Sequence, residues 1–257
     1  MIPSLREWRR NRWLRLYPLP EKLWGETVRA VPMLDPYQPF EIERLRALTT
    51  VFLHEKDFIA AHDLELNDAM RLRIALLASI PILNLDLDWY RGWKTVIVYP
   101  GEFIHRREHT DAMGLVHRWE EVLSGESWER GPLILSWADV EASGQLDGYN
   151  VVIHEAAHKL DMLNGLPDGF PPLHRGMEVR RWTQVLTAAF DDLNRRLDAG
   201  LPTDIDSYAG SHPAEFFAVI SEYFFELPEV VAEEYADVYK ELRDFYRQDP
   251  LERLSPN

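Results

Sequence analysis

Five residues, His154-Glu155-Ala156-Ala157-His158, constrain this chain more than any other feature. Two histidines four apart lie one turn apart on one face of a helix, so both imidazoles reach a single metal ion. The glutamate that follows the first histidine reaches a water on that metal without becoming a ligand. The pattern works only on a helix, and the flanking sequence predicts one. Asp147 is a good N-cap, Gly148 to Asn164 contains no proline, and Asn164-Gly165 supplies a stop. Val152, Ala156, Leu160 and Leu163 form an apolar stripe that packs the helix down, while His154, His158 and Asp161 share a different face.

HExxH is the pattern of zinc metallopeptidases, whose catalytic sites need a third protein ligand. The metzincin solution is excluded, because Asp161 and Asn164 occupy the positions where it needs glycine and histidine. The other common solution takes a glutamate from a second helix downstream. The segment 211–228 reads as that helix, with Ser211 as N-cap, Pro213 in the first turn and Pro228 as terminator. It carries Glu215 and Glu222, which share a face but stand about 10 Å apart, so they cannot both bind one ion. A carboxylate on so aromatic a helix needs a cation beside it, a metal or an arginine or lysine.

Residues 147–162, DGYNVVIHEAAHKLDM, and 208–219, YAGSHPAEFFAV, followed by Ser221-Glu222-Tyr223-Phe224-Phe225, resemble the Mlc titration factor A family of bacterial zinc peptidases. The resemblance implies a zincin-type fold of the gluzincin kind, like the catalytic domain of anthrax lethal factor. It implies one zinc ion per chain held by His154, His158 and Glu215, with Glu155 and Tyr208 catalytic. It implies hydrolysis of oligopeptides with aminopeptidase character. It also implies a second function class, a regulatory protein that sequesters Mlc, a sugar-responsive DNA-binding transcriptional repressor, and so regulates glucose uptake with or without catalysis.

The chemistry follows from the residue types. A zinc ion on two imidazoles and a carboxylate lowers the pKa of its water toward ~7 and polarises a peptide carbonyl. Glu155 takes the proton and returns it to the leaving amine. The oxyanion needs a further donor, which Tyr208 can supply from the loop 200–211; read without the family, Tyr208 is an ordinary loop aromatic. Asp161 and Glu222 are candidates to accept the second N–H of the metal-binding imidazoles. Asp161 is equally a surface charge, and Glu222 equally an arginine partner. His212 lies near Glu215 but reads as solvated, and His54, His62, His105, His109, His117 and His174 read as structural or surface residues.

Composition bounds the rest. The net charge of −15 argues against direct nucleic-acid binding. There are no cysteines, which excludes thiolate metal ligands and suits a cytoplasmic location. No apolar run is long enough for a membrane span. The reading is a single metallopeptidase domain over residues 1–257, α+β and mainly helical, with a small sheet beside the HExxH helix. Residues 1–40 form a Trp-, Arg- and Pro-rich arm that packs its tryptophans on the domain or serves a protein or membrane surface; residues 147–226 carry the active-site helices and loop. Helices are predicted at 41–62, 66–79 and 182–198, and strands at 95–99 and 133–136, the last lining the substrate cleft.

Overall fold

The computed structural model describes residues 5–101, 103–110, 116–123, 125–127 and 131–254, and side chains outside 102–130. It begins with α1 (Leu5–Leu16), α2 (Glu21–Arg29) and α3 (Pro39–Glu55), followed by β1 (Asp57–Ala60), α4 (Asp68–Ser79) and β2 (Thr95–Tyr99). Strands β3 (Phe103–Thr110), β4 (Val116–Leu123), β5 (Gly125–Ser127) and β6 (Leu133–Ser136) lead into α5 (Trp137–Ala142) and α6 (Val151–Asp161). The C-terminal part is α7 (Val179–Asp198), α8 (Pro213–Glu226), α9 (Pro228–Glu234), α10 (Ala236–Tyr246) and α11 (Pro250–Leu254). The expected α+β, mainly helical architecture is borne out.

The main sheet has the order β1-β2-β6-β5. β1, β2 and β6 are parallel, with Ile59 opposite Ile97 and Ile97 opposite Ile134. β6 is buried along its whole length and Val96 and Val98 of β2 are fully buried, as expected for strands covered on both faces. β5 runs antiparallel to β6 and forms the sheet edge beside α6. The strand expected at 133–136 is present as β6, but it is paired on both sides, so the edge open to an extended chain is β5. Gly125-Glu126-Ser127 has no apolar pattern that would announce a strand; pairing alone makes it one. β3 and β4 pair separately, antiparallel.

Other boundaries move for identifiable reasons. The helix expected over 41–62 ends at Glu55, because Lys56 turns extended and buries its ammonium against the carbonyls of Tyr90 and Trp93. The chain then pairs with β2 as β1. Asp147 does not cap α6; its carboxylate accepts from Tyr149 N–H in a turn, and the cap is Asn150. His212, not Ser211, caps α8, its Nδ1 accepting from Ala214 N–H (3.2 Å). Pro228 opens α9 rather than merely ending α8. In the arm, Trp13 packs against the core and stacks on His54, but Trp8 is exposed. His62 lies against the Tyr99 ring, and His174 donates to the carbonyl of Phe245 (2.7 Å). The side chains of His105, His109 and His117 lie outside the described residues.

Two polar knots hold the segments around α6. The buried Arg73 guanidinium donates to the carbonyls of Ala30, Val140, Glu141 and Ser143 at 2.8–3.1 Å, joining α4 to the end of α2 and to α5. At the other end of α6, Gly169 donates to Asp161 Oδ2 (2.8 Å) and accepts from Trp182 Nε1 of α7 (3.1 Å). Gly169 has φ +79°, and a Cβ there would lie 2.6 Å from the Pro213 carbonyl oxygen at the start of α8. Replacing Gly169 with alanine should therefore strain the loop that joins α6, α7 and α8. Gly169→Ala should lower unfolding free energy by at least about 1–3 kcal/mol, read from urea denaturation. An unchanged urea midpoint would show that this close approach is not a structural lock.

Candidate metal centre

The site is built between α6 and α8. α8 places Glu215, Glu222 and Glu226 seven and four residues apart, so they form one acidic stripe on an otherwise aromatic helix. The stripe faces α6. Glu226 at its end accepts from Gly144 N–H, Leu146 N–H and Asn150 Nδ2, ordering the loop that leads into α6. Asn150 caps α6 by accepting from Ile153 N–H (3.1 Å) and donates its own backbone N–H to Glu222 Oε2 (2.5 Å). The start of α6 is thus fixed on α8 before the histidines are reached.

His154 and His158 then project from α6 toward Glu215. His154 Nε2 lies 3.1 Å from Glu215 Oε2, His158 Nε2 lies 3.2 Å from the same oxygen, and the two Nε2 atoms are 3.2 Å apart. Three tetrahedral ligands bound at ~2.0–2.1 Å stand about 3.3 Å from one another, so this triangle fits one divalent metal ion. Among the described residues, these three form a cluster of histidine and carboxylate donors able to hold a metal. A carboxylate only accepts hydrogen bonds, so the 2.8 Å contact from His154 Nδ1 to Glu222 Oε1 places a proton on Nδ1. Nε2 is then the atom turned toward the triangle, and a metal ion bound there would displace the proton that Nε2 otherwise shares with Glu215.

The electrostatics are those of a buried site awaiting positive charge. Burial alone would raise the Glu215 carboxyl, but hydrogen bonds from both histidines, then their charge, hold it well below the usual carboxylate range. Burial alone would lower His154, and Glu222 and Glu215 instead push it well above the ordinary histidine value. Glu155 is buried, and burial raises its carboxyl to about 7 against the pull of His158 and His154. Its Oε2 has no hydrogen-bond partner. A basic group with an unmet acceptor beside the metal triangle suits proton transfer.

Tyr208 sits on a short 3-10 turn, Ser207–Gly210, whose backbone is fixed by Asp206 accepting from Tyr208 N–H (2.8 Å). Its ring lies 6.1 Å from the His154 ring, centroid to centroid, and is half exposed. It therefore stands at the open side of the site. Glu222 does not pair with an arginine; its carboxylate spans His154 and Asn150. Asp161 is not a surface charge but fully buried, bound to Gly169 N–H, and burial raises it to about 6. Its Oδ1 and His158 Nδ1 lie one helical turn apart and form no hydrogen bond with each other. His212 serves as a helix cap.

Two residues were missed. Asn150 and Glu226 organise the entrance to α6, and the signal for Glu226 was its place on the Glu215–Glu222 stripe. Asn150 carried no comparable mark beside the stronger-looking Asp147.

A family model described as glucose-regulated metallo-peptidase M90 matches residues 5–247. Proteins named Mlc titration factor A from Yersinia pestis (strain Pestoides F) and Yersinia pseudotuberculosis serotype O:1b (strain IP 31758) are each 42% identical to this chain over 247 residues. Those alignments cover 94% of this chain and 91% of each relative.

The triangle makes a graded test possible. His154→Ala, His158→Ala and Glu215→Ala should each abolish stoichiometric metal binding, measured by elemental analysis after dialysis. Glu222→Ala should weaken it by ~10–100-fold, because it removes only the group that orients His154. Metal content unaffected by the histidine substitutions would rule out the site, and a larger loss from Glu222 than from Glu215 would reverse their roles.

Proposed function

The chain belongs to the glucose-regulated metallo-peptidase M90 family, and on that premise we propose that it is a zinc-dependent peptidase of oligopeptides with aminopeptidase character. The observation that carries this reading is the convergence of the His154–His158–Glu215 triangle with the buried Glu155, whose Oε2 has no hydrogen-bond partner among the described residues. A protein that used its metal only for structure would close the site with a fourth ligand and would need no base beside it. The aminopeptidase character rests on the family resemblance.

His154, His158 and Glu215 hold the metal, and Glu222 fixes the His154 ring. A zinc ion in such a site supplies Lewis acidity and makes water a competent nucleophile near neutral pH. Glu155 accepts the proton from the attacking water and later releases it to the leaving amine; its burial favours holding that proton in between. Tyr208 donates its phenolic O–H to the oxyanion that develops on the scissile carbonyl. The edge of β5, beside α6, offers backbone groups for pairing with an extended substrate.

A second reading concerns regulation. The relatives' name supports binding of the Mlc repressor, and the acidic surface of this chain suits a basic DNA-binding partner. The two functions use different groups: a binding surface has no need of Glu155.

Three substitutions separate these roles. Glu155→Gln should keep the metal and lose peptidase activity by about 10³ or more, assayed on short peptides with free and blocked N-termini. Tyr208→Phe should keep metal content and melting temperature, with turnover falling ~10²–10³-fold and KM little changed, because the hydrogen bond forms mainly in the transition state. Unchanged turnover would remove Tyr208 from catalysis. His154→Ala should retain any repressor binding measured by pull-down with purified Mlc; loss of binding there would tie the partner to the metal site.

A further inference from the structure

A cavity of about 700 Å³ lies between α1 and the loop 87–94, with Gly131 and Pro132 on one wall. Its lining is basic in a chain whose net charge is −15. Arg6, Arg9 and Arg10 sit at i, i+3 and i+4, so one face of α1 turns three guanidinium groups toward it. Arg91, Lys94 and Lys56 face them from the other side.

The lining acids do not neutralise these charges. Asp88 Oδ1 accepts from both Arg6 and Arg10 at 2.8 Å. Glu55 is engaged by Arg10 at 3.0 and 3.2 Å and lies 3.7 Å from Arg9. Two carboxylates thus serve three guanidiniums. Lys94 pairs with Asp57 (2.6 Å), but Arg91 reaches only the backbone carbonyl of Asp88, and neither it nor Lys56 has a carboxylate partner among the described residues. Lys56 is buried, 3.4 Å from the centre of the Trp93 ring, with its Nζ on two carbonyls. Burial lowers it to about 7, with the charges of Lys159 and Arg10 adding to the fall and that of Glu55 opposing it.

Ordinary surface ion pairing would balance such a set. Here several guanidinium forks, a buried lysine and the rings of Trp13 and Trp93 line one open cleft of small-molecule size. Guanidinium forks match phosphate oxygens in pairs, and aromatic walls accommodate an attached ring or carbon skeleton. We propose that this cavity is a binding site for a small phosphate-bearing molecule, separate from the metal centre.

The test uses the full-length, zinc-loaded protein and phenyl phosphate as probe, followed by calorimetry and by tryptophan emission at low ionic strength. Phenol and inorganic phosphate serve as the partial ligands. The expected result is saturable 1:1 binding of phenyl phosphate, weaker binding of inorganic phosphate and none of phenol. Arg9→Ala/Arg91→Ala changes two exposed residues and should weaken binding at least about tenfold, since each removes a charge-assisted hydrogen bond. Lys94→Ala should weaken it less, because Lys94 already has Asp57. His154→Ala should leave the affinity unchanged. No binding to the parent protein would overturn the proposal. So would binding that survives the double substitution and disappears in His154→Ala, because the phosphate would then sit at the metal centre.

Discussion

Glu222 is the residue on which the rest of the site depends. One of its oxygens accepts from His154 Nδ1 and the other from the backbone of Asn150, so a single carboxylate sets both the direction of the His154 ring and the position of the helix that carries it. Because α6 is pinned there, His158 follows by the helical repeat, and Glu215, two turns earlier on α8, meets both imidazoles. Glu226 extends the same stripe to the loop before α6. The cost of taking Glu222 and Glu226 fully, and Glu215 largely, out of water on an aromatic helix is offset by backbone N–H groups, an amide and the two histidines.

The remainder of the structure makes that alignment rigid. The aromatic cluster of Trp182, Phe217 and Phe245 packs α7, α8 and α10 together, and Gly169 ties the end of α6 to α7 and the start of α8. Tyr208 is treated differently. It lies on a short turn, exposed, with its backbone fixed by Asp206, where a side chain can meet a substrate. A rigid triangle beside an accessible phenol is the division of labour that the proposed catalysis, by differential binding, requires.

How much of this was legible in the sequence follows from the range of each interaction. The HExxH face, the helix expected at 66–79 and found at Asp68–Ser79, and the strand 95–99 are written in local periodicity. Glu215 and Tyr208 came through family resemblance, because residue spacing leaves open which carboxylate of α8 reaches the metal. β1 was hidden because its pairing with β2 is nonlocal and its apolar residues also fit a continued helix. The edge strand β5 has no pattern at all. Asp161 reads as a surface charge at a helix end; only the loop that folds back through Gly169 buries it.

The proposed chemistry stands on one metal ion held by two imidazoles and one carboxylate with an open position. X-ray absorption at the zinc edge of the purified protein tests it directly. The account predicts a first shell of four nitrogen and oxygen ligands at about 2.0–2.1 Å, with the outer-shell scattering of two imidazoles. A six-coordinate oxygen shell, or scattering from more or fewer than two imidazoles, would contradict it.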